Sequence, residues 1–460
     1  MTAPLRPRSV SLRLARIAGA ATVVALAASA LAACASPNAR STPAPTAAVE
    51  IPSSPVGAQA AWVLDEINAD EEPRIDEIER RFDPATLEQL PAADLQSVLV
   101  QLQDAAPWTP TAYEEGDRQA RVTITSAEVT YDMTLSVTAD DLIDGLLFGP
   151  TPPEREPAAL WEELREQVES APFDATVQVT DVGGETLQSF GRPGAAPIGS
   201  IFKLWVLGAV ADAVGGGSLT WDDPLVIDAG VRSLPSGELQ NLPDGATVTV
   251  REAAEKMIAI SDNTATDALI RAVGRDAVEQ AMAAMGHADP SLNTPFPTTR
   301  ELFWLLLGDA DLRTLWGGAA GDAEARRSVL ERLPAGVPDP AAMSGAQPAW
   351  RDGVDWFATA DDLTAAHAAL QERALTPAGA PLRDILSANP GVEFGDRWSY
   401  VAFKGGSSIG VLAGSWYLER EGATPVVVTV LARSDDPAAL VHPSVVFGWA
   451  QDAAAILGAP

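Results

Sequence analysis

Lysine, cysteine and histidine are scarce in this chain of 460 residues. Cysteine occurs once and histidine three times, whereas 63 acidic residues oppose 31 basic ones. One cysteine cannot form an internal disulfide or a thiolate metal site, and three histidines without His-x-x-x-His spacing disfavour a zinc hydrolase. We therefore predict no metal and no cofactor. The net charge of −32 also excludes a nucleic-acid partner, because Lys and Arg must neutralise the phosphates of such a partner.

The first 33 residues have the composition of a secretory signal peptide. Four arginines without any acid precede an apolar run from Ile17 to Ala33, which is marginal in length for a spanning helix. The single cysteine, Cys34, follows Leu31-Ala32-Ala33 directly. This arrangement resembles the lipobox of bacterial lipoproteins, which implies lipidation of Cys34 and an extracytoplasmic protein anchored to the cell membrane. The alternative is an ordinary secretory signal with a coincidental cysteine.

Changes in composition divide the rest of the chain into a tether and two domains. Residues 34–56 are rich in Pro, Ser, Thr and Ala, which predicts an extended tether. Residues 57–149 show helical apolar spacing and then alternating strands, which predicts a small α+β domain resembling NTF2-like or cystatin-like folds. Tyr131 and Asp132 are candidate pocket groups there, for which a structural role is the stronger expectation. Gly149-Pro150-Thr151-Pro152-Pro153 marks the break that follows.

Residues 157–460 form the larger predicted domain, an α+β fold whose sheet receives strands from both ends of the segment. A helix at about 158–169 precedes a strand with alternating apolar residues, and strands return at 398–403, 409–418 and 424–432. Capping-box patterns at Thr249 and Thr298 open helices in the mostly helical block between these strands. A final helix is predicted over about 440–457.

Only three of the basic residues are lysines: Lys203, Lys256 and Lys404. Arginine stays protonated, whereas a lysine loses its proton readily when it is desolvated or lies near another cation. Lys203 ends the motif Ser200-Ile201-Phe202-Lys203, which opens an apolar helix. Because residues three apart share a helix face, Lys203 can reach the Ser200 hydroxyl and act as its base.

Two further segments complete a candidate active site. Ser261-Asp262-Asn263 lies on a predicted turn between two helices, where a second hydroxyl can relay a proton and the amide can orient other groups. Lys404-Gly405-Gly406 is predicted at the end of a strand, where the ammonium can depress the pKa of Lys203. Its glycines let a substrate approach the backbone closely. Each of these motifs is a weak signal by itself.

In this order, the three motifs resemble the Ser-x-x-Lys, Ser-Asp-Asn and Lys-Thr-Gly set of class A β-lactamases and penicillin-binding proteins. The run from Gly245 to Glu252 that leads into the Ser261 turn, together with Thr298–Leu302, resembles actinobacterial β-lactamase-like lipoproteins similar to the hydrolase encoded with clavulanic acid synthesis. The resemblance implies a β-lactamase/transpeptidase-like fold over residues 157–460. It also implies a serine hydrolase that forms an acyl-enzyme on a β-lactam or a related amide or ester.

The resemblance assigns an expected role to each site residue. The expected catalytic set consists of the nucleophile Ser200, the general base Lys203, the proton relay Ser261, the orienting group Asn263 and the electrostatic partner Lys404. The expected oxyanion hole consists of the backbone N–H groups of Ser200 and Ser407. The expected substrate-binding strand consists of Gly405, Gly406 and Ser407.

Two positions depart from the family pattern. Gly405 replaces the usual Thr or Ser, which removes a hydroxyl that normally holds a substrate carboxylate, and Ser407 or Ser408 are candidate substitutes. Asp289-Pro290-Ser291-Leu292-Asn293 is the nearest match to the Glu-x-x-Leu-Asn loop that supplies the deacylating base. Since Asp is one methylene shorter than Glu, Asp289 is a weak candidate for that base. The three histidines are expected to be structural: His287, His367 and His442.

Three functions are compatible with these motifs. The first is a membrane-tethered hydrolase of a β-lactam or a related small acyl substrate. The second, favoured by Gly405 and the weak Asp289 match, is an esterase or a D-alanyl peptidase acting on a peptidoglycan-like substrate. The third is a binding lipoprotein without turnover, for which Ser200→Ala would leave ligand affinity unchanged. The physiological substrate, the oligomeric state and the role of the N-terminal domain are open at this point.

Overall fold

The computed structural model describes residues 48–458, apart from residues 117, 128, 153–154 and 344. The predicted signal peptide, Cys34 and most of the predicted tether lie outside the described residues. The chain forms two compact units that divide between residues 152 and 153. Within the described residues, none of the helices combines the length and apolar character that a membrane span requires.

The first unit consists of helices followed by a four-stranded antiparallel sheet. Its elements are α1 (Pro55–Asn68), α2 (Ile75–Arg81), α3 (Pro84–Gln89), α4 (Ala92–Gln103), β1 (Thr109–Glu115), β2 (Gln119–Thr125), β3 (Thr130–Val137) and β4 (Ile143–Pro150). The strand order is β1-β2-β3-β4, and alternation along the strands buries Val122, Met133 and Leu135 completely. Helix α1 begins inside the predicted tether, because Ser54 caps it and proline is favoured at the first helical position.

Tyr131 and Asp132 make contacts within this first unit. The Asp132 carboxylate accepts hydrogen bonds from the Thr123 hydroxyl at 2.8 Å and the Thr151 hydroxyl at 2.9 Å. The Tyr131 ring stacks on Trp108 with ring centroids 5.6 Å apart. These contacts join neighbouring strands and pack the sheet, as expected for structural residues.

The second unit contains a five-stranded antiparallel sheet with helices on both faces. Its elements are α5 (Trp161–Glu169), β5 (Asp174–Asp181), β6 (Thr186–Gly191), β7 (Ala196–Pro197), α6 (Lys203–Gly215), β8 (Pro224–Ile227), β9 (Ala246–Thr249), α7 (Val250–Ala259), α8 (Asn263–Val273), α9 (Arg275–Ala284), α10 (Thr299–Leu307), α11 (Ala310–Gly318), α12 (Ala323–Leu330), β10 (Phe357–Ala358), α13 (Ala360–Ala374), α14 (Leu382–Ser387), β11 (Tyr400–Ser408), β12 (Val411–Glu419), β13 (Val426–Arg433) and α15 (Pro443–Leu457). The strand order β11-β12-β13-β5-β6 pairs the two ends of this unit directly, which confirms the predicted sheet.

Each face of this sheet packs on its own hydrophobic cluster. Helices α5 and α15 cover one face through buried residues such as Leu164 and Trp449. The helical block covers the other face, and α6 lies at its centre with every side chain from Lys203 to Ala211 buried. A helix that is apolar on all sides belongs in the interior, so a lysine at its first position is buried together with it.

Strand β11 is longer than the sequence pattern predicts. The predicted strand ended at Phe403, but the observed strand continues through Lys404 to Ser408 and pairs with β12 along its whole length. Glycine weakens a strand by itself, yet pairing and packing override this preference when the partner fits. Here Gly405 lies opposite Gly414. The Lys-Gly-Gly motif therefore lies within the edge strand of the sheet and not beyond its end.

Candidate active site

Ser200 lies in a single 3-10 turn, Gly199–Phe202, that leads directly into α6. Gly199 has a φ angle of +48°, a backbone conformation that favours glycine. A Cβ atom at this position would lie 2.6 Å from the backbone nitrogen of Ser407. The turn therefore rests against strand β11 and presents the half-buried Ser200 at the edge of the sheet.

Lys203 points its amine at the Ser-Asp-Asn turn. Its Nζ atom donates hydrogen bonds to Ser261 O at 2.6 Å, Ser261 Oγ at 3.0 Å and Asn263 Oδ1 at 2.7 Å. Burial lowers the pKa of Lys203 well below its usual value, and the charge of Lys404 lowers this pKa further. A lowered pKa makes it easier for this buried amine to lose its proton and so to act as a base.

Lys404 of strand β11 also approaches Ser261. Its Nζ atom lies 3.0 Å from Ser261 Oγ and 2.7 Å from Gly405 O, and burial lowers the pKa of Lys404 to about 7. When both amines donate to Ser261 Oγ, the proton of that hydroxyl is free to be donated elsewhere. Ser261 thus has the connections that a proton relay between Lys203 and a leaving group needs.

The remaining residues of this turn hold it in place. Asp262 is buried and caps α8 by accepting from the backbone nitrogen of Ala265 at 2.7 Å. The Asn263 amide donates to Leu234 O at 3.0 Å while its oxygen accepts from Lys203. Ser261 itself has a φ angle of +58°, which is uncommon for a residue with a side chain and characteristic of constrained sites.

The Ser200 hydroxyl makes no hydrogen bond within the described residues. The sequence places Lys203 three residues away on the same helical turn, but the structure directs its amine to Ser261 and Asn263 instead. Hydrogen bonds between catalytic groups often tighten only when substrate is bound. The structure therefore brings Lys203, Ser261, Asn263 and Lys404 into one network beside Ser200.

Two glycines bring the backbones of the turn and the edge strand into contact. A Cβ atom on Gly406 would lie 1.9 Å from Ile198 O and 2.8 Å from Ser200 N. Such distances are incompatible with any side chain, so this contact requires glycine. The expected oxyanion donors, the N–H groups of Ser200 and Ser407, therefore belong to two backbone segments that touch.

Phe403 occupies the space beside Gly405. A Cβ atom on Gly405 would lie 2.8 Å from Cζ of the Phe403 ring, and this ring stacks on Trp416 with centroids 4.9 Å apart. A threonine or serine at position 405 would require that ring to move. The hydroxyl missing from the Lys-Gly-Gly motif is thus replaced by packing of an aromatic ring.

Asp289 makes its side-chain hydrogen bonds within its own loop. Its side chain is exposed and accepts hydrogen bonds from the backbone nitrogen of Ser291 at 3.2 Å and the Ser291 hydroxyl at 2.5 Å. Asn293 of the same loop is buried and binds the backbone of Phe357. No hydrogen bond within the described residues connects Asp289 to Ser200.

We expect Asp289→Asn to change the deacylation rate by less than about threefold. A general base contributes about 10²-fold or more, whereas the Asp289 carboxylate only caps a turn that Asn can also cap. The measurement is steady-state turnover of an ester together with the amount of acyl-enzyme that accumulates. A loss of about 10²-fold with persistent acyl-enzyme would instead identify Asp289 as the base.

None of the three histidines hydrogen-bonds to the lysine–serine network within the described residues. The Nε2 atom of His287 lies 2.9 Å from Phe357 O, and burial lowers the pKa of His367 to about 4. His442 precedes α15, and partial burial lowers its pKa as well. These positions agree with the expected structural roles.

We expect Lys404→Met to move the acid limb of the acylation rate to higher pH. The charge of Lys404 lowers the pKa of Lys203, so its removal raises that pKa and leaves less neutral base at a given pH. Since the pKa of Lys404 is about 7, the difference should be largest below pH 7. The measurement is the pH profile of acylation by an uncharged ester. Lys256→Met is the matched control, because Lys256 pairs with Glu238 at the surface. A shift of the acid limb to lower pH in Lys404→Met would contradict the prediction.

Two buried aspartates near the network were not singled out by sequence reasoning. Asp267 of α8 accepts from the backbone nitrogens of Thr299 and Arg300, and burial raises its pKa to about 6. Asp355 precedes β10 and binds the Ser200 turn. Neither belongs to a recognisable motif, because their partners are distant in sequence.

Comparison with known proteins gives a family match over this unit. Residues 159–438 match the model of a family described as "Beta-lactamase enzyme family", and residues 51–143 match a model described as "ORF 12 gene product N-terminal". The first match includes Ser200, Ser261 and Lys404 and covers more than half of the chain. No curated protein matches the chain.

Solved structures similar to this chain include two β-lactamases and a protein named PBP-A. The β-lactamase from Sphaerobacter thermophilus DSM 20745 is 23% identical, with 65% of this chain and 100% of that chain covered and a TM-score of 0.46. PBP-A is 19% identical, with 66% and 97% covered and a TM-score of 0.44. The β-lactamase from Xanthomonas campestris pv. campestris str. ATCC 33913 is 19% identical, with 65% and 96% covered and a TM-score of 0.44.

Proposed function

Because the chain belongs to the β-lactamase enzyme family and is a serine hydrolase of that superfamily, we propose that it acylates Ser200 with a β-lactam or a related amide or ester. The observation that carries this proposal is the hydrogen-bonded network of Lys203, Ser261 and Lys404 beside the Ser200 turn. Two amines with lowered pKa values around one hydroxyl suit proton transfer near neutral pH.

In the proposed mechanism, the Ser200 hydroxyl attacks the carbonyl carbon and its proton passes to the neutral amine of Lys203. The N–H groups of Ser200 and Ser407 stabilise the negative charge that develops on the carbonyl oxygen. Ser261 donates its proton to the leaving nitrogen or oxygen and regains one from Lys203. Cleavage of that bond leaves the acyl group on Ser200, and water then releases it.

The test is intact mass spectrometry after incubation with a fluorophosphonate and, separately, with a reactive penicillin. We expect one adduct per molecule, located by peptide mapping on the segment that contains Ser200. The absence of any adduct from folded protein with both reagents would contradict acylation at Ser200.

A second candidate function, that of an esterase or a D-alanyl peptidase acting on a cell-wall-like substrate, has specific support. Gly405 has no hydroxyl to hold a substrate carboxylate, the Phe403 ring lies 2.8 Å from where a Cβ atom at that position would be, and the Asp289 side chain is exposed. Comparison of kcat/KM for a chromogenic cephalosporin, short acyl esters and an acyl-D-alanyl-D-alanine peptide separates the alternatives. Preference for the cephalosporin would identify a β-lactamase.

We also propose that Cys34 carries a lipid that anchors the protein on the outer side of the cell membrane. The support is the position of the only cysteine after the apolar run and Leu31-Ala32-Ala33. We expect Cys34→Ser to move the protein from the membrane fraction to the soluble fraction when it is expressed in a host that processes lipoproteins. Equal membrane retention of the variant would contradict lipidation.

We also propose that the first unit has an NTF2-like or cystatin-like architecture. We further propose that the chain is related to the hydrolase encoded with clavulanic acid synthesis. Its support is the order of elements, with helices α1–α4 followed by the sheet β1–β4. An experimental structure tests this proposal, since such folds carry their helices on the concave face of a curved sheet. A flat sheet would contradict it.

A further inference from the structure

Asp355 is a buried carboxylate that binds both backbone segments of the candidate oxyanion hole. Its Oδ1 atom accepts a hydrogen bond from Gly199 N at 2.8 Å, and its Oδ2 atom accepts one from the Ser408 hydroxyl at 2.6 Å. Gly199 immediately precedes Ser200, and Ser408 immediately follows Ser407. One side chain thus connects the two segments that carry the expected donors.

The segment around Asp355 is held firmly against the Ser200 turn. Strand β10 pairs with β7, and Ile198 N donates to Trp356 O at 2.9 Å. The Trp356 ring stacks on Phe202 with centroids 3.6 Å apart, and Trp356 N donates to Asp355 Oδ1 at 2.8 Å. Because its own support is rigid, the Asp355 carboxylate can determine the separation of the groups that it binds.

A carboxylate at this depth is unfavourable unless donors compensate for its desolvation. Asp355 is 3% exposed, and burial raises its pKa to about 6 even though Ser408 and the backbone of Gly199 and Trp356 oppose the increase. A purely apolar contact would fill the same space without this cost. The carboxylate adds a link between the turn and β11 that an apolar residue cannot make.

We propose that Asp355 is a positioning residue for acylation, which holds the Ser200 turn and strand β11 at the separation where the N–H groups of Ser200 and Ser407 converge on one oxygen atom. This inference rests on the proposed acylation of Ser200. Donors in an oxyanion hole are effective only when they already lie where charge develops. A displacement of about 1 Å can cost about 10²-fold in rate.

The test compares Asp355→Ala, Asp355→Asn and Ser408→Ala with the wild type in the full chain. For Asp355→Ala we expect acylation by a p-nitrophenyl ester to slow by about 10²- to 10³-fold, the effect of losing one oxyanion donor, while KM changes by less than about threefold. Asp355→Asn keeps an acceptor for Gly199 N and can donate to Ser408, so we expect a loss within about tenfold. Ser408→Ala removes one of the two links, so its acylation rate should lie between those of the wild type and Asp355→Ala.

Asp452→Ala is the matched control for lost stability. Asp452 is equally buried and accepts from Arg155 and from Ala158 N at 2.9 Å, but it lies in α15 on the opposite face of the sheet. We expect Asp452→Ala to lower the midpoint temperature of thermal unfolding, while the acylation rate per folded molecule stays within about threefold of the wild type. If Asp452→Ala slowed acylation as much as Asp355→Ala, the positioning role would be wrong.

Hydrogen exchange gives a measurement that does not depend on turnover. In Asp355→Ala and Ser408→Ala, we expect faster amide exchange in peptides covering 198–202 and 405–410, with unchanged exchange in β13. Unchanged exchange in both peptides, or acylation of folded Asp355→Ala within threefold of the wild type, would overturn the inference. Failure of the wild type to form an adduct would instead contradict the proposed function, while the exchange data would still decide the positioning role.

Discussion

Ser200→Ala is expected to abolish acyl-enzyme formation and to lower kcat/KM for ester hydrolysis by about 10⁴-fold or more, the range found when a serine nucleophile is removed. The methyl group of alanine cannot form the acyl bond, and the other hydroxyl of the network, that of Ser261, is assigned to the proton relay. The measurements are intact mass after incubation with a fluorophosphonate and initial rates with a p-nitrophenyl ester.

Stability should not change in this variant, because the Ser200 hydroxyl makes no hydrogen bond within the described residues. The matched control is Ser328→Ala, since Ser328 is an exposed serine of α12 whose hydroxyl, among the residues that the structure describes, bonds only to Glu324 O at 3.1 Å. This control should retain full activity. If Ser200→Ala kept more than about a tenth of wild-type turnover, the nucleophile would be another residue. If Ser200→Ala and the wild type had equal ligand affinity and the same cellular role, a binding lipoprotein without turnover would be favoured.

Lys203→Met is expected to slow acylation by about 10³- to 10⁴-fold, the upper range for loss of a general base. Methionine fills nearly the same volume as lysine but cannot take the proton of Ser200. Single-turnover acylation should be slower at every pH. The acylation rate should also no longer show the fall at low pH that protonation of the Lys203 amine causes. Lys203→Arg should be equally impaired, because arginine stays protonated.

The stability of Lys203→Met separates a catalytic role from a structural one. Loss of the amine leaves Asn263 Oδ1 without its donor, which costs about 1–3 kcal/mol for a buried group, whereas Ser261 O still accepts from the Ser236 hydroxyl at 2.8 Å. Thermal unfolding measures this loss, and acylation is then expressed per folded molecule. Lys256→Met provides the control, because it removes a lysine from a surface pair. Acylation by folded Lys203→Met within tenfold of the wild type would contradict the role of Lys203 as base.

Local patterns in the sequence predicted the elements and the chemistry of the site. Capping boxes at Thr249 and Thr298 open α7 and α10 as predicted, because a cap depends on residues only three positions apart. The scarcity of lysine pointed to Lys203 and Lys404, since only lysine among the basic residues titrates readily when it is buried. The order of elements within the first unit also followed from short-range periodicity.

Tertiary structure decided the features that depend on residues distant in sequence. The amine of Lys203 binds Ser261 and Asn263 and not Ser200, because the buried start of α6 packs against the Ser-Asp-Asn turn. Strand β11 includes Lys404 because β12 pairs with it throughout. The exposure of Asp289 depends in the same way on how its loop packs.

The sequence by itself therefore determined which residue types are available for acyl transfer and which segments carry them. Only the folded chain determined which of those groups meet. Gly199 and Gly406 bring the Ser200 turn against β11, and Asp355 binds both segments from 156 residues further along the chain than Gly199. Contacts over such separations leave no periodic pattern in the sequence, because they are selected by packing and burial in three dimensions and not by the preferences of neighbouring residues.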